Sequence, residues 1–212
     1  MRLDHVAYAA EPDGLRSTAA RLGAALGVVP IDGGVHPRFG TRNVILPLAE
    51  GRYVEVVEVL DHPSSDKAPF GQAVRARSET GGGWLCWVVA VDDLAPFERQ
   101  LGYDAPPGNR RRPDGVELRW HQIGVKGLVT DPQLPYVLRW DTPAALHPSV
   151  GGRPDVRIAG LQIAGDPDRV RTWLGLDPEY TPTSVEFTFV APHGTPGLLA
   201  VSFETSAGVV QI

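Results

Sequence analysis

A single cysteine, Cys86, stands in this 212-residue chain, so no internal disulfide can form and the small, disulfide-stapled extracellular classes are excluded. No stretch approaches the roughly 18 consecutive apolar residues a membrane helix requires. The N-terminus shows none of the charged, apolar and cleavage segments of a secretory signal. There is no basic surplus either: 20 Lys and Arg face 25 Asp and Glu, a formal charge of −5. The one concentrated positive run, Asn109 to Arg112 ("NRRR"), reads as a charged loop rather than a phosphate-binding footprint. These absences lead to the expectation of a cytoplasmic protein that engages a small molecule and neither membrane nor nucleic acid.

What is present points to many short elements. Glycine (24) and proline (20) are plentiful while the apolar share stays at 42%, a balance that fits frequent turns around a real core rather than disorder. The length suits one body or two intimately packed halves. Three amphipathic helices are predicted, each opening at an aspartate and closing on Leu-Gly. The first runs from Asp13 to Gly27 with Leu15, Ala19, Leu22 and Leu26 on one stripe. The second runs from Asp92 or Asp93 to Gly102, and the third from Asp166 to Gly175. An apolar run of strand length precedes each: Leu3 to Ala10, Trp84 to Val91 and Val156 to Ala164.

Strand-like segments follow each helix. They are Val28 to Ile31, Thr41 to Leu46 and Tyr53 to Val59 in the first unit. The second has an irregular strand near Tyr103, then Val116 to Ile123 and Pro135 to Trp140. The third has Ser184 to Val190, Leu198 to Thr205 and Gly208 to Ile212. The fold class is therefore α+β, built from repeated βαβββ units. Residues 1–148 hold two of them forming a half-open cup, and 153–212 hold a third, degenerate one.

Two such units set side by side curl through strand twist, and alternate residues line the concave face. His5 in "LDHVAYAA" shares a face with Leu3 and Ala7, and Glu55 in "GRYVEVVEVL" shares one with Tyr53 and Val57. An imidazole and a carboxylate placed in core-like strands are explained if both point into that concavity, where they find partners.

The combination of "LDHVAYA", "HPRFGTRNVILPL" followed by "GRYVEVVEV", "VDDL" after a tryptophan-rich strand, and "RWDTPAALHPS" resembles the vicinal oxygen chelate superfamily, and within it glyoxalase-like proteins with an extended C-terminal part. The resemblance covers residues 1 to 150 well and the remainder weakly. It implies the glyoxalase fold and, in metal-using relatives, one ligand from the first and one from the last strand of each unit. Carried over, His5 and Glu55 match the first unit's pair. The second unit's first-strand position falls on Cys86, or on Trp87 if the count slips by one, and Leu138, which cannot bind a metal, stands opposite Glu55.

Three chemical readings follow. In one, a divalent ion (zinc, iron, manganese or nickel) on His5, Glu55 and a third donor, Cys86 or else His121, supports lyase, isomerase or dioxygenase chemistry, with Glu55 and His121 as catalytic groups. In another, without a metal, His5 and Glu55 form a hydrogen-bonded acid–base pair or serve as simple ligand contacts. In the third, the protein sequesters a drug or metabolite between tryptophans drawn from Trp84, Trp87, Trp120 and Trp140. His36, Trp87, Trp120 and Arg139 are the substrate-binding candidates, and His36, Arg38 and Arg42 flank the expected mouth.

Plainer readings stand beside these. His5 fits a satisfied core histidine, Cys86 a small buried hydrophobe, Arg139 with Asp141 a structural ion pair, and His147 a linker residue. The third unit carries no ligand set, and its uncovered sheet edge is expected either to complete a homodimer, the preferred arrangement, or to pack over the first two units.

Overall fold

The structure, a computed structural model, describes residues 1–176, 184–191 and 193–212. The first unit comprises β1 (Arg2–Ala9), α1 (Leu15–Leu26), β2 (Ile31–His36), β3 (Thr41–Pro47) and β4 (Tyr53–Val59). An insert of two helices follows, α2 (Pro63–Lys67) and α3 (Pro69–Glu79). The second unit comprises β5 (Gly83–Ala90), α4 (Ala95–Leu101), β6 (Pro107–Arg111), β7 (Glu117–Ile123), α5 (Gly127–Thr130) and β8 (Tyr136–Trp140). After a 3₁₀ turn at Ala144–Leu146 come β9 (Arg157–Ala164), α6 (Pro167–Leu174), β10 (Glu186–Val190), β11 (Gly197–Thr205) and β12 (Gly208–Gln211).

The three Leu-Gly endings terminate α1, α4 and α6, each on a left-handed glycine. The start of α1 departs from expectation. Gly14 is the N-cap and no side chain of α1 caps it. Glu58 of β4 reaches across instead and accepts from the Leu15 N–H at 3.4 Å. That explains why Glu58 lies on the opposite parity from Glu55.

The first two units share one sheet that closes into an eight-stranded barrel, in the order β1-β4-β3-β2-β6-β7-β8-β5. One seam joins β1 antiparallel to β5. The other, which turns the expected half-open cup into a closed barrel, joins β2 to β6 at Val35 and Arg111. Two differences from the sequence reading create this second seam. The strand after α1 begins at Ile31 rather than ending there, and "PGNRR" forms β6 instead of a loop. Gly34 allows the approach: its φ is +102° and a Cβ there would stand 2.0 Å from the Arg111 carbonyl oxygen.

The helical insert was missed from sequence, although His62 before Pro63, and Pro69 opening an apolar pattern, are start signals. Phe70, Ala73 and Val74 of α3 pack into one cluster with Ala7, Ala9, Val57, Leu85, Cys86 and Val88. Small alanines on the inward face of β1 make room for that helix, so apolar side chains fill part of the barrel and leave the remaining interior to polar ones.

The third unit keeps the strand–helix–three-strand element order but not the sheet order. Its strands run β10-β9-β11-β12, with the first strand in the middle. This sheet packs on the barrel's outer face: Ile158, Leu161, Val201 and Phe203 join one core with Val6, Val54, Trp84 and Trp87. Indole N–H groups seal the contact, from Trp84 to the Ile212 carbonyl at 2.7 Å and from Trp173 to the Pro135 carbonyl at 2.8 Å. Of the two arrangements expected for the third unit, this is packing over the first two, and β10 and β12 remain the edges of its sheet.

Candidate functional site

A β-bulge organises the site. Leu3 pairs with Val89 and His5 with Val88, leaving Asp4 as the extra residue. The extra residue breaks the expected alternation. Leu3 joins the outer core instead of sharing a face with His5, and Asp4 is fully buried. Asp4 accepts from His5 Nδ1 at 3.0 Å, from Trp140 Nε1 at 3.3 Å and from His147 Nε2 at 3.3 Å, and pairs with Arg2 at 2.7 Å. Burial alone would push this carboxyl up. The hydrogen bonds from His147 and His5, with the charges of His5 and Arg2, overcome that and hold it well below the usual carboxylate range. His147 therefore belongs to the site's support and is not a linker residue.

With its Nδ1 held by Asp4, His5 stacks on Tyr53 with ring centroids 4.4 Å apart and directs Nε2 inward. That nitrogen lies 3.3 Å from the Tyr136 hydroxyl and 3.9 Å from Glu55 Oε2. The two residues that framed the sequence argument therefore converge. Glu55 Oε1 is fixed by Asn43, whose Nδ2 donates at 2.6 Å, and lies 3.6 Å from His36 Nε2. His36 lies inside the barrel, not at its mouth, and its Nδ1 meets Thr41 Oγ1 at 2.9 Å. Burial pushes its imidazole down to about 4, against the pull of Glu55 and with the help of Arg110 and His5, so it is neutral at pH 7. Burial likewise raises the Tyr53 and Tyr136 hydroxyls well above their ordinary value, and both keep their protons.

Together with Arg110, Gln122, Leu138 and a ring of Phe39, Phe70, Trp120 and Trp140, these residues line a cavity with about 20 Å³ of room, enough for a water. Gly108 supports the wall, since a Cβ there would stand 2.4 Å from the Trp120 ring. Trp120 donates to Gln122 at 2.6 Å.

Several expected site residues lie elsewhere. His121 sits on the opposite parity of β7 from Trp120 and Gln122, and pairs with Asp141 at 2.8 Å outside the cavity. Arg139 joins that same cluster, 3.1 Å from Asp141. Trp87 points to the outer face, donates to the Gln133 carbonyl at 3.0 Å and packs on Phe187. Trp84 also faces outward, against Tyr8 and Phe203, so of the four tryptophans only Trp120 and Trp140 wall the cavity. Arg42 pairs with Glu58 at 2.6 Å on the surface.

The metal set is also corrected. His5 pairs with Tyr53 in β1–β4, and the matching partner of Tyr136 in β5–β8 is Val88. The second unit thus offers Val88 and Leu138 at the two ligand positions, and neither is a donor. Cys86 lies two residues away in the apolar cluster, its thiol pushed well up by burial and by Glu55. Among the described residues no group of three His, Cys, Asp or Glu side chains is placed to hold a metal ion. The donor set does not fit the divalent ion that the resemblance implied.

Arg110, read from sequence as part of a charged loop, enters the cavity from β6 and is 4% exposed. Its signal in the sequence is parity, since Gly108 and Arg110 are the inward positions of a strand that hairpins through Pro113-Asp114-Gly115 into β7.

A family model described as a glyoxalase-like domain matches residues 3–177. No curated protein matches the sequence. Among solved structures, a hypothetical protein from Staphylococcus aureus is similar over 99% of this chain and 84% of its own, at 12% identity and a TM-score of 0.63. Methylmalonyl-CoA epimerase from Streptomyces coelicolor, in complex with 2-nitronate-propionyl-CoA, aligns over 66% of this chain and 96% of its own, at 19% identity and a TM-score of 0.43. A mutant 4-hydroxymandelate synthase from Streptomyces coelicolor aligns over 71% and 52%, at 18% identity and a TM-score of 0.40.

Proposed function

The chain belongs to the glyoxalase-like domain family of the vicinal oxygen chelate superfamily, and on that footing we propose that it transfers protons on a small carbonyl compound inside the barrel, with Glu55 as general base. One observation carries this reading: the two oxygens of Glu55 are treated differently. Oε1 is anchored by Asn43, whereas Oε2 accepts no hydrogen bond among the described residues and lies 3.9 Å from His5 Nε2, on a side chain that lines the cavity. A carboxylate held by one oxygen and free at the other is positioned to take a proton from a carbon next to a carbonyl.

As that C–H bond breaks, its electron pair moves onto the carbonyl oxygen. Tyr136, kept protonated by burial, is the donor for the charge that develops there. His5, 3.3 Å from the same hydroxyl and oriented by Asp4, holds that hydroxyl in place. Return of the proton from Glu55 to carbon completes a transfer that needs no metal, in keeping with the hydrocarbon side chains at Val88 and Leu138. The cavity has room for a water, so a larger substrate requires its lining side chains to move.

The test is hydrogen–deuterium exchange in D₂O, followed by proton NMR, on a panel of small ketones, keto acids and keto amides. Exchange above the buffer rate that falls about 100-fold or more in Glu55→Gln supports the reading. Equal exchange in the variant, or none on any compound, counts against it. Binding without exchange would favour a sequestering protein walled by Trp120 and Trp140.

A further inference from the structure

Arg110 is a cation with nothing to hold. It lines the cavity at 4% exposure, its Nε is buried without a hydrogen-bond partner, and among the described residues its guanidinium makes no hydrogen bond and no ion pair within 4 Å. The other arginines that shape the fold are paired: Arg2 with Asp4, Arg42 with Glu58 and Arg52 with Glu50. Of the charged groups around Arg110, Glu55 favours its charge from a distance and Arg112 opposes it. A buried unpaired charge is costly in an isolated fold and is retained where something else completes it. A guanidinium presents parallel N–H donors matched to a planar oxyanion.

We propose that Arg110 is the anchor for the carboxylate of an anionic substrate, so that the barrel takes small carboxylic acids in preference to their neutral counterparts. This rests on the proposed role of Glu55 only in placing the two ends: the carboxylate on Arg110 of β6, the reacting carbon toward Glu55 of β4. A fixed cation at one wall and a base at the other orient a small acid without further polar contacts. Tyr53 and Tyr136 line the same cavity, and their proton-bearing hydroxyls add no charge.

The proposal is tested by thermal unfolding and calorimetric titration of the intact protein, at constant ionic strength, with acetate, pyruvate, malonate and benzoate, each against its neutral amide, and with inorganic phosphate. At least one carboxylate is expected to raise the unfolding temperature by several degrees while its amide does not. Arg110→Gln should weaken that carboxylate tenfold or more, and Arg110→Lys should recover part of the loss. Arg110→Met, which removes the unpaired charge and keeps the stem, should unfold at or above the wild-type temperature without ligand and lose the response to acids. Acid and amide acting alike, a response undiminished in Arg110→Gln, or phosphate outperforming every carboxylate would each overturn it.

The two proposals fail separately. Glu55→Gln should bind the acid at least as tightly as wild type, because a like charge has gone, while losing exchange. Arg110-dependent binding without exchange refutes only the role of Glu55, and equal exchange on acid and amide refutes only the anchor.

Discussion

Asp4 and His5, adjacent in sequence, both turn into the protein interior and meet at 3.0 Å, because a bulge against β5 inserts Asp4 as an unpaired residue. Asp4 thereby serves two ends: it accepts from Trp140 and His147 while pairing with the exposed Arg2, and it fixes the ring of His5. Asp4→Ala leaves the donors of His5, Trp140 and His147 without their acceptor, and a loss of about 1–3 kcal/mol in urea unfolding at pH 7 is expected, the cost of a buried polar group left unpaired.

That carboxylate also sets an acid limit. Its folded-state pKa lies below the ordinary value of 3.8, so the stabilisation is fully present above that value and is lost as the pH falls through and below it. The stability gap between wild type and Asp4→Asn should therefore be constant above pH 5 and narrow below pH 3.8, as read by denaturant titration.

His36 acts in a separate window. Burial lowers it from 6.5 to about 4. The unfolded chain takes up this proton first as pH falls, so stability from this group is present above 6.5 and declines until about 4. A shift of that size corresponds to roughly 3 kcal/mol. His36→Gln should flatten the stability profile between those limits while leaving the Asp4 window below it. An unchanged slope would place His36 in water.

Trp87 tests the correction to the aromatic wall. Buried against Phe187 on the outer face, it holds the third unit to the barrel. Trp87→Ala should cost about 3–5 kcal/mol with no change in carboxylate affinity, whereas Trp120→Ala should alter affinity. Equal effects on binding would return Trp87 to the cavity.

Much of this architecture was legible because it rests on local chemistry. Each Leu-Gly ending is a helix stop, and the alternation in "YVEVVEV" placed Glu55 inside. What sequence parity did not reveal came from irregularity. The bulge at Asp4 resets the face of Leu3, a second irregularity between Asp32 and Gly34 in β2 helps carry His36 inward, and the late start of β2 hides the seam with β6. Arg110 was lost for a related reason: three consecutive arginines read as a solvated run, and only the pairing of β6 with β2 and β7 shows that the first of them points inward. His121 failed in the opposite sense, because its neighbour Trp120 took the inward position. The metal expectation depended on assigning the second unit's register to Cys86, two residues short of Val88.

The barrel closure itself is open to test at Gly34. A Cβ at this position meets backbone, not a flexible side chain, and the positive φ disfavours any L side chain. Gly34→Ala should cost at least 1–3 kcal/mol and speed amide exchange in β2 and β6 ahead of the β1–β5 seam. Uniform protection on both seams would contradict the strand order described.

The most direct measurement is deuterium washout from a deuterated keto acid by wild type, Glu55→Gln and Arg110→Gln side by side. Washout by wild type, abolished at Glu55 with acid affinity kept and slowed at Arg110 with acid affinity lost, is the predicted result. Washout that survives both substitutions would contradict the assignment of the barrel interior as the site of reaction.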